Sequence, residues 1–100
     1  MAKMIVVFVR PGCPYCAEAV QLMQQHGLEY QPIDVTQRPC LRDRLLRATG
    51  SATVPSVWVS GVYVGGLNSG PSAFGGLRAM LRGSLDTVRS HPDFGKPVPV

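Results

Sequence analysis

Two cysteines stand three positions apart in the segment Arg10-Pro11-Gly12-Cys13-Pro14-Tyr15-Cys16. Thiols at that spacing suit one of two chemistries: thiolate attack on a disulfide, or half of a zinc site. A structural zinc needs four ligands, and the remaining candidates, Cys40, His26 and His91, form no second close pair. Thiol–disulfide exchange is the better fit, with no metal expected. In that chemistry Cys13 attacks a target disulfide and Cys16, about one helical turn further in, resolves the mixed disulfide.

The place of the pair matters more than its spacing. Cys13 follows the apolar run Met4-Ile5-Val6-Val7-Phe8-Val9 and precedes a segment of helical period, with Pro14 preset for the first helical position. The free N–H groups and positive dipole end of that helix then face the Cys13 sulfur. Such a site lowers a thiol pKa of ~8.5 to ~3.5–7.5, which turns a few per cent of thiolate into a majority at neutral pH. Arg10 acts in the same direction, and Tyr15 offers an amphipathic wall for a small thiol ligand.

The elements that must hold this turn follow from the hydrophobic pattern. Residues 4–9, β-branched and aromatic throughout, predict a buried central strand. Ala17, Ala19, Val20, Leu22 and Met23 give a helical stripe running to His26, with Gly27 suited to the C-terminal cap. Leu28 to Asp34 predicts a second strand containing Pro32. Pro39 opens a second helix with Leu41, Leu45, Leu46 and Ala48 facing inward and Gly50 closing it. Residues 56–65 alternate around Ser60-Gly61, the mark of a tight two-residue hairpin. From Ser72, the residues Phe74, Leu77, Met80 and Leu81 stand at helical spacing, weakened by Gly75-Gly76. The order strand–helix–strand–helix–strand–strand–helix predicts an α/β protein whose mixed four-stranded sheet is flanked by helices, the thioredoxin fold.

One hundred residues allow one domain, taken as residues 1–90, followed by a proline-containing extended tail over 91–100. The chain is 45% hydrophobic and 16% charged, a composition that buries a core without disulfide staples. An odd count of three cysteines also argues against a secreted disulfide framework. The six-residue apolar run is too short for a signal-peptide core, and nothing approaches the roughly 20 residues of a membrane span. A cytoplasmic monomer is the expectation. Eight arginines supply most of the net charge of +4, but they are scattered singly without stacking aromatics. That pattern suits small anionic ligands better than nucleic acid.

Phe8-Val9-Arg10-Pro11-Gly12-Cys13-Pro14-Tyr15-Cys16 resembles the active-site segment of glutaredoxins. Thr53-Val54-Pro55, followed by a hairpin and Gly65-Gly66, is similar to their second signature at the matching distance. The resemblance implies a cis Pro55 facing the cysteines, and a Val54 whose backbone pairs with the cysteine of glutathione as a short added strand. It further implies that Thr53 and Gly66 contact the ligand, and that Asn68 and Ser69 hold its γ-glutamyl end. Helix-start amides after Gly65-Gly66 would help there by binding a carboxylate. Arg10 and Arg42 would hold the glycine carboxylate, Arg42 being otherwise a solvated helix position. Glutaredoxins usually carry an acid just after Gly-Gly, where it pairs with the ligand's ammonium. Here the chain reads Leu67-Asn68-Ser69 and then inserts several residues. Glutathione or another small thiol thus stands as the reductant. Cys40, without a motif partner, reads as a semi-buried filler, with a modifiable surface thiol as the alternative.

The activity implied is glutathione-dependent reduction of protein disulfides and protein–glutathione mixed disulfides, with glutathione as co-substrate and such proteins as partners. Two alternatives stand beside it: a glutaredoxin-like carrier reduced by thioredoxin reductase, and a dimer binding an iron–sulfur cluster through Cys13 and glutathione thiolates. Pro14 weighs against the cluster.

Overall fold

The first strand is central because its residues are apolar on both faces. In the computed structural model, which describes residues 5–70 and 74–98 (for 84–86 the backbone alone), β1 is Ile5–Val9. Met4 and Ser72, placed in elements from the sequence, lie outside the described residues. β1 pairs in parallel with β2, Tyr30–Asp34, and antiparallel with β3, Ser56–Val59, which in turn pairs with β4, Val62–Gly65. The sheet order is β2-β1-β3-β4, the four-stranded mixed sheet of the thioredoxin fold. β2 is an edge strand, which is why Pro32, opposite Val7, is tolerated there despite its missing N–H.

Strand alternation sends successive side chains to opposite faces of the sheet. Ile5, Val7, Val57, Val59, Val62 and Val64 pack with Ala19 and Met23 of α1, Pro14–Gln25, and with Leu77, Met80 and Val88. On the other face, Phe8 and Trp58 pack with Leu41 and Leu45 of α2, Cys40–Thr49. Trp58 satisfies its indole N–H on the Oγ of buried Ser56 at 3.1 Å. Truncating a fully buried leucine such as Leu45 to alanine costs about 2–5 kcal/mol at sites of this kind.

The helix ends obey local chemistry. α1 stops in a Schellman arrangement: Gly27 at φ 66 donates to Gln24 O at 3.1 Å, and Leu28 donates to Met23 O at 3.0 Å. Gly50, at φ 79, closes α2 by donating to Leu46 O at 2.8 Å. The hairpin turn places Ser60 at φ 47 and Gly61 at φ 87, the left-handed pair that a two-residue connection requires.

Four expectations change. Leu46 and Ala48 are exposed, because the buried stripe of α2 runs through Leu41 and Leu45, and residue 46 lies a further 100° round the helix. Cys40 is likewise exposed, which removes the filler reading. The last helical segment begins at Leu77, running as α3, Leu77–Ala79, through a wider turn at Met80–Ser84 broken at Gly83, into α4, Leu85–Arg89. Phe74 is buried from a loop rather than from a helix. The C-terminal segment is not extended: turns at His91–Lys96 bring the Gly95 N–H to Ser60 O at 2.8 Å, and Val98 packs against the cluster that Phe8, Leu41, Leu45 and Trp58 form.

Candidate active site

The Pro11-Gly12 turn, with Gly12 at φ 75, reverses the chain after β1 and sets Cys13 at φ −90, ψ 110, the extended geometry of a helix N-cap. Its side chain is the cap: Cys13 Sγ accepts the Cys16 backbone N–H at 3.3 Å. Both cysteines are nearly covered, Cys13 at 8% and Cys16 at 4% exposure, whereas Tyr15, between them in sequence, stands 59% exposed.

The two thiols are pushed in opposite directions. Burial of Cys13 opposes its charge, but hydrogen bonds from the Cys16 side chain and N–H, the positive charge of Arg10 and a hydrogen bond from the Tyr15 N–H outweigh it. They hold Cys13 below its ordinary 9.0. For Cys16, burial leads and donation to Cys13 adds, so its thiol is pushed up to about 11. One sulfur is ready to attack. The other keeps its proton until it is needed.

Facing this turn is the loop after α2. The Thr49 hydroxyl lies 2.8 Å from Leu45 O and from Ser51 O and accepts the Ser51 N–H at 3.1 Å. Ser51 Oγ and Thr53 Oγ1 share a hydrogen bond of 2.8 Å. This hydroxyl chain fixes the approach to the cis Val54–Pro55 peptide, whose Val54 carbonyl stands 3.9 Å from Cys13 Sγ. Gly66 packs so close to Pro55 that an added Cβ would sit 3.2 Å from the Pro55 oxygen.

A cleft extends on either side of Val54. One lobe, about 800 Å³, is lined by Tyr15, Thr53, Val54, Pro55, Gly66, Asn68 and Ser69, together with Ser51, Tyr63 and residues at the end of α2. The other, about 810 Å³, is lined by Arg10, Arg42, Thr53 and Val54, with Val35, Thr36, Pro39 and Ala52. The nine residues singled out from the sequence as ligand contacts therefore each line one or both of these lobes, which share Thr53 and Val54, and the Cys13 sulfur stands 3.9 Å from the shared Val54 carbonyl.

One implied feature is absent from its place. No helix begins at residues 67–69, and residues 66–70 and 74–76 are irregular before α3. Gly66 donates its N–H to Ser69 O and accepts from the Leu77 N–H, both at 2.8 Å, so the loop closes on itself and its amide is not offered as a helix-start donor. Tyr63 and Ser51 were missed by sequence reasoning. Alternation marks Tyr63 only as a partner of Trp58, against which its ring lies at 5.0 Å, and nothing local signals that it reaches the cleft.

Fold and cysteine turn together define a thiol–disulfide oxidoreductase of the thioredoxin fold. Comparison with known proteins sharpens this. A family model described as Glutaredoxin matches residues 5–64, and the chain belongs to the glutaredoxin family. It is 38% identical over 87 residues to a glutaredoxin of Pseudomonas aeruginosa, covering 86% of this chain and 95% of that one. The solution structure of glutaredoxin from Brucella melitensis superposes with a TM-score of 0.66 at 33% identity, covering 87% of this chain and 90% of the other. A buckwheat glutaredoxin–glutathione complex matches with a TM-score of 0.61 at 36% identity, over 64% of this chain and 61% of that chain.

Proposed function

We propose that this protein is a glutathione-dependent dithiol oxidoreductase that reduces protein–glutathione mixed disulfides and protein disulfides. The observation that carries the reading is the position of Cys13 Sγ: capping α1 beside Arg10, and facing the carbonyl of Val54, the residue on which both lobes meet.

In mixed-disulfide removal, the Cys13 thiolate attacks the glutathione sulfur of the substrate. A Cys13–glutathione disulfide forms, the substrate S–S bond breaks, and the protein thiolate leaves and takes a proton from water. A second glutathione thiolate then attacks the bound glutathione sulfur, releasing glutathione disulfide and restoring the Cys13 thiolate. In protein-disulfide reduction, Cys13 forms a mixed disulfide with the target. Cys16 gives up its proton and attacks Cys13, releasing the reduced target and leaving a Cys13–Cys16 disulfide for two glutathiones to reduce. Arg10 and Arg42 receive the glycine carboxylate, the Val54 backbone pairs with the glutathione cysteine, and Tyr15, Thr53, Pro55, Gly66, Asn68 and Ser69 receive the γ-glutamyl arm. The proposal places the protein in the cytoplasm as a monomer; an odd number of free cysteines in a self-sufficient core supports a reducing setting.

The test is turnover of a glutathionylated peptide coupled to NADPH through glutathione reductase, run in parallel with thioredoxin reductase. Oxidation of NADPH with the first system alone is the expected result. Turnover only with the second overturns the glutathione assignment.

A further inference from the structure

The two lobes beside Val54 differ in charge, and the difference bears on which end of a ligand is recognised by charge. The Arg10–Arg42 lobe carries two guanidiniums and, among the described residues, no lining carboxylate. Of the acids next to it along the chain, Asp34 accepts the N–H and hydroxyl of Thr36 at 2.8 and 2.6 Å, and Asp43, beside Arg42 in sequence, is exposed and outside the lining. The opposite lobe is built from neutral hydrogen-bonding groups: Tyr15, Ser51, Thr53, Tyr63, Asn68 and Ser69.

From this asymmetry we infer that the cleft recognises a low-molecular-weight thiol by the carboxylate that enters between Arg10 and Arg42, and draws no affinity from an ammonium on the other arm. The inference rests on the functional reading above and deepens it: the ammonium of glutathione contributes nothing to recognition here. An ammonium gains its affinity from a facing carboxylate and loses hydration on entering a cleft. With only amide and hydroxyl partners, the gain and the loss offset each other. A carboxylate entering between Arg10 and Arg42 has two charge-assisted donors and gains outright.

The experiment measures kcat/KM of the full chain on three mixed disulfides of one cysteine peptide. The thiols are glutathione, its des-amino form glutaryl-cysteinyl-glycine, and a form with the glycine carboxylate amidated. The des-amino substrate is expected within about threefold of glutathione, and the amidated one at least about tenfold lower. A larger loss on removing the ammonium overturns the inference while leaving the glutathione activity standing. If none of the three is cleaved, the functional reading itself falls. Asn68→Asp supplies the missing charge and is expected to raise the preference for glutathione over its des-amino form by about five- to tenfold. An unchanged preference overturns the assignment of the neutral lobe to that arm.

Discussion

Cys16 donates its backbone N–H to the Cys13 sulfur at 3.3 Å, so the attacking atom is also the cap of the helix that carries its resolving partner. Charge on Cys13 and order in the first turn of α1 are thereby the same interaction. The surrounding groups sharpen it: Arg10 and the Tyr15 N–H favour the anion, while Cys16, deeper, keeps its proton.

The two sulfurs should separate cleanly by substitution. Cys13→Ser is expected to lower both activities by at least about a hundredfold, since the neighbouring Cys16 thiol is buried and held protonated. Cys16→Ser should retain mixed-disulfide removal and lose protein-disulfide reduction. Turnover on a glutathionylated peptide and on a disulfide-bonded protein reads the two; equal loss in both variants contradicts the division of roles.

Titration gives a second check. Alkylation of Cys13 should reach half its maximal rate below pH 9.0, the ordinary value, and Arg10→Ala should move the midpoint upward. Stability follows with a definite sign. Because Cys13 is depressed in the fold, its contribution grows as pH rises toward 9.0, where the unfolded thiol still holds its proton. Because Cys16 is raised, its contribution is full below 9.0 and is lost as pH climbs through about 11. Urea midpoints of the reduced protein should therefore rise toward pH 9 and fall beyond it, and Cys16→Ser should remove most of the fall.

Arg10 and Arg42 line one lobe but touch the chemistry differently. Arg42→Ala should raise KM for the glutathionylated substrate by about three- to tenfold with kcat nearly unchanged, an effect reduced by salt because the side chain is exposed. Arg10→Ala should also lower kcat, more at pH 6 than at pH 9, because it withdraws a charge that favours the Cys13 thiolate. Steady-state kinetics at two pH values distinguishes the pair.

The C-terminal segment can be probed from the hairpin. At Gly61, φ is 87 and an added Cβ would run into the Lys96 carbonyl and lie 3.1 Å from Asp93 O. Gly61→Ala should destabilise the protein by about 1–3 kcal/mol and speed amide exchange at Gly95, whose N–H is held by Ser60 O. Unchanged exchange at Gly95 would mean that the segment is held elsewhere.

Much of this organisation is legible in the residues. The apolar run at 5–9 could only be an interior strand, Gly27 and Gly50 marked the helix ends, and Ser60-Gly61 marked the hairpin. Pro14 after Cys13 located the helix start, and with it the direction in which the thiol is perturbed. The later chain was harder for identifiable reasons. Phe74 and Leu77 satisfy helical spacing, yet a loop residue buried from above satisfies it equally, so period alone cannot tell the two apart. Leu46 is apolar without being on the buried stripe, and composition carries no sense of rotation about α2. The return of residues 91–98 to the hairpin depends on a contact across more than thirty positions, between Gly95 and Ser60, which no local pattern encodes.

Gly66 ties both ends of the 66–76 excursion to one residue, through Ser69 on one side and Leu77 on the other. Gly65 and Gly70 meet so closely that neither has room for a side chain, so the residues after the hairpin are seated on β4 as well. Asn68 and Ser69 thus take their positions from the sheet and from α3 together, and a change at either glycine would be felt first as a change in what the lobe beside them holds.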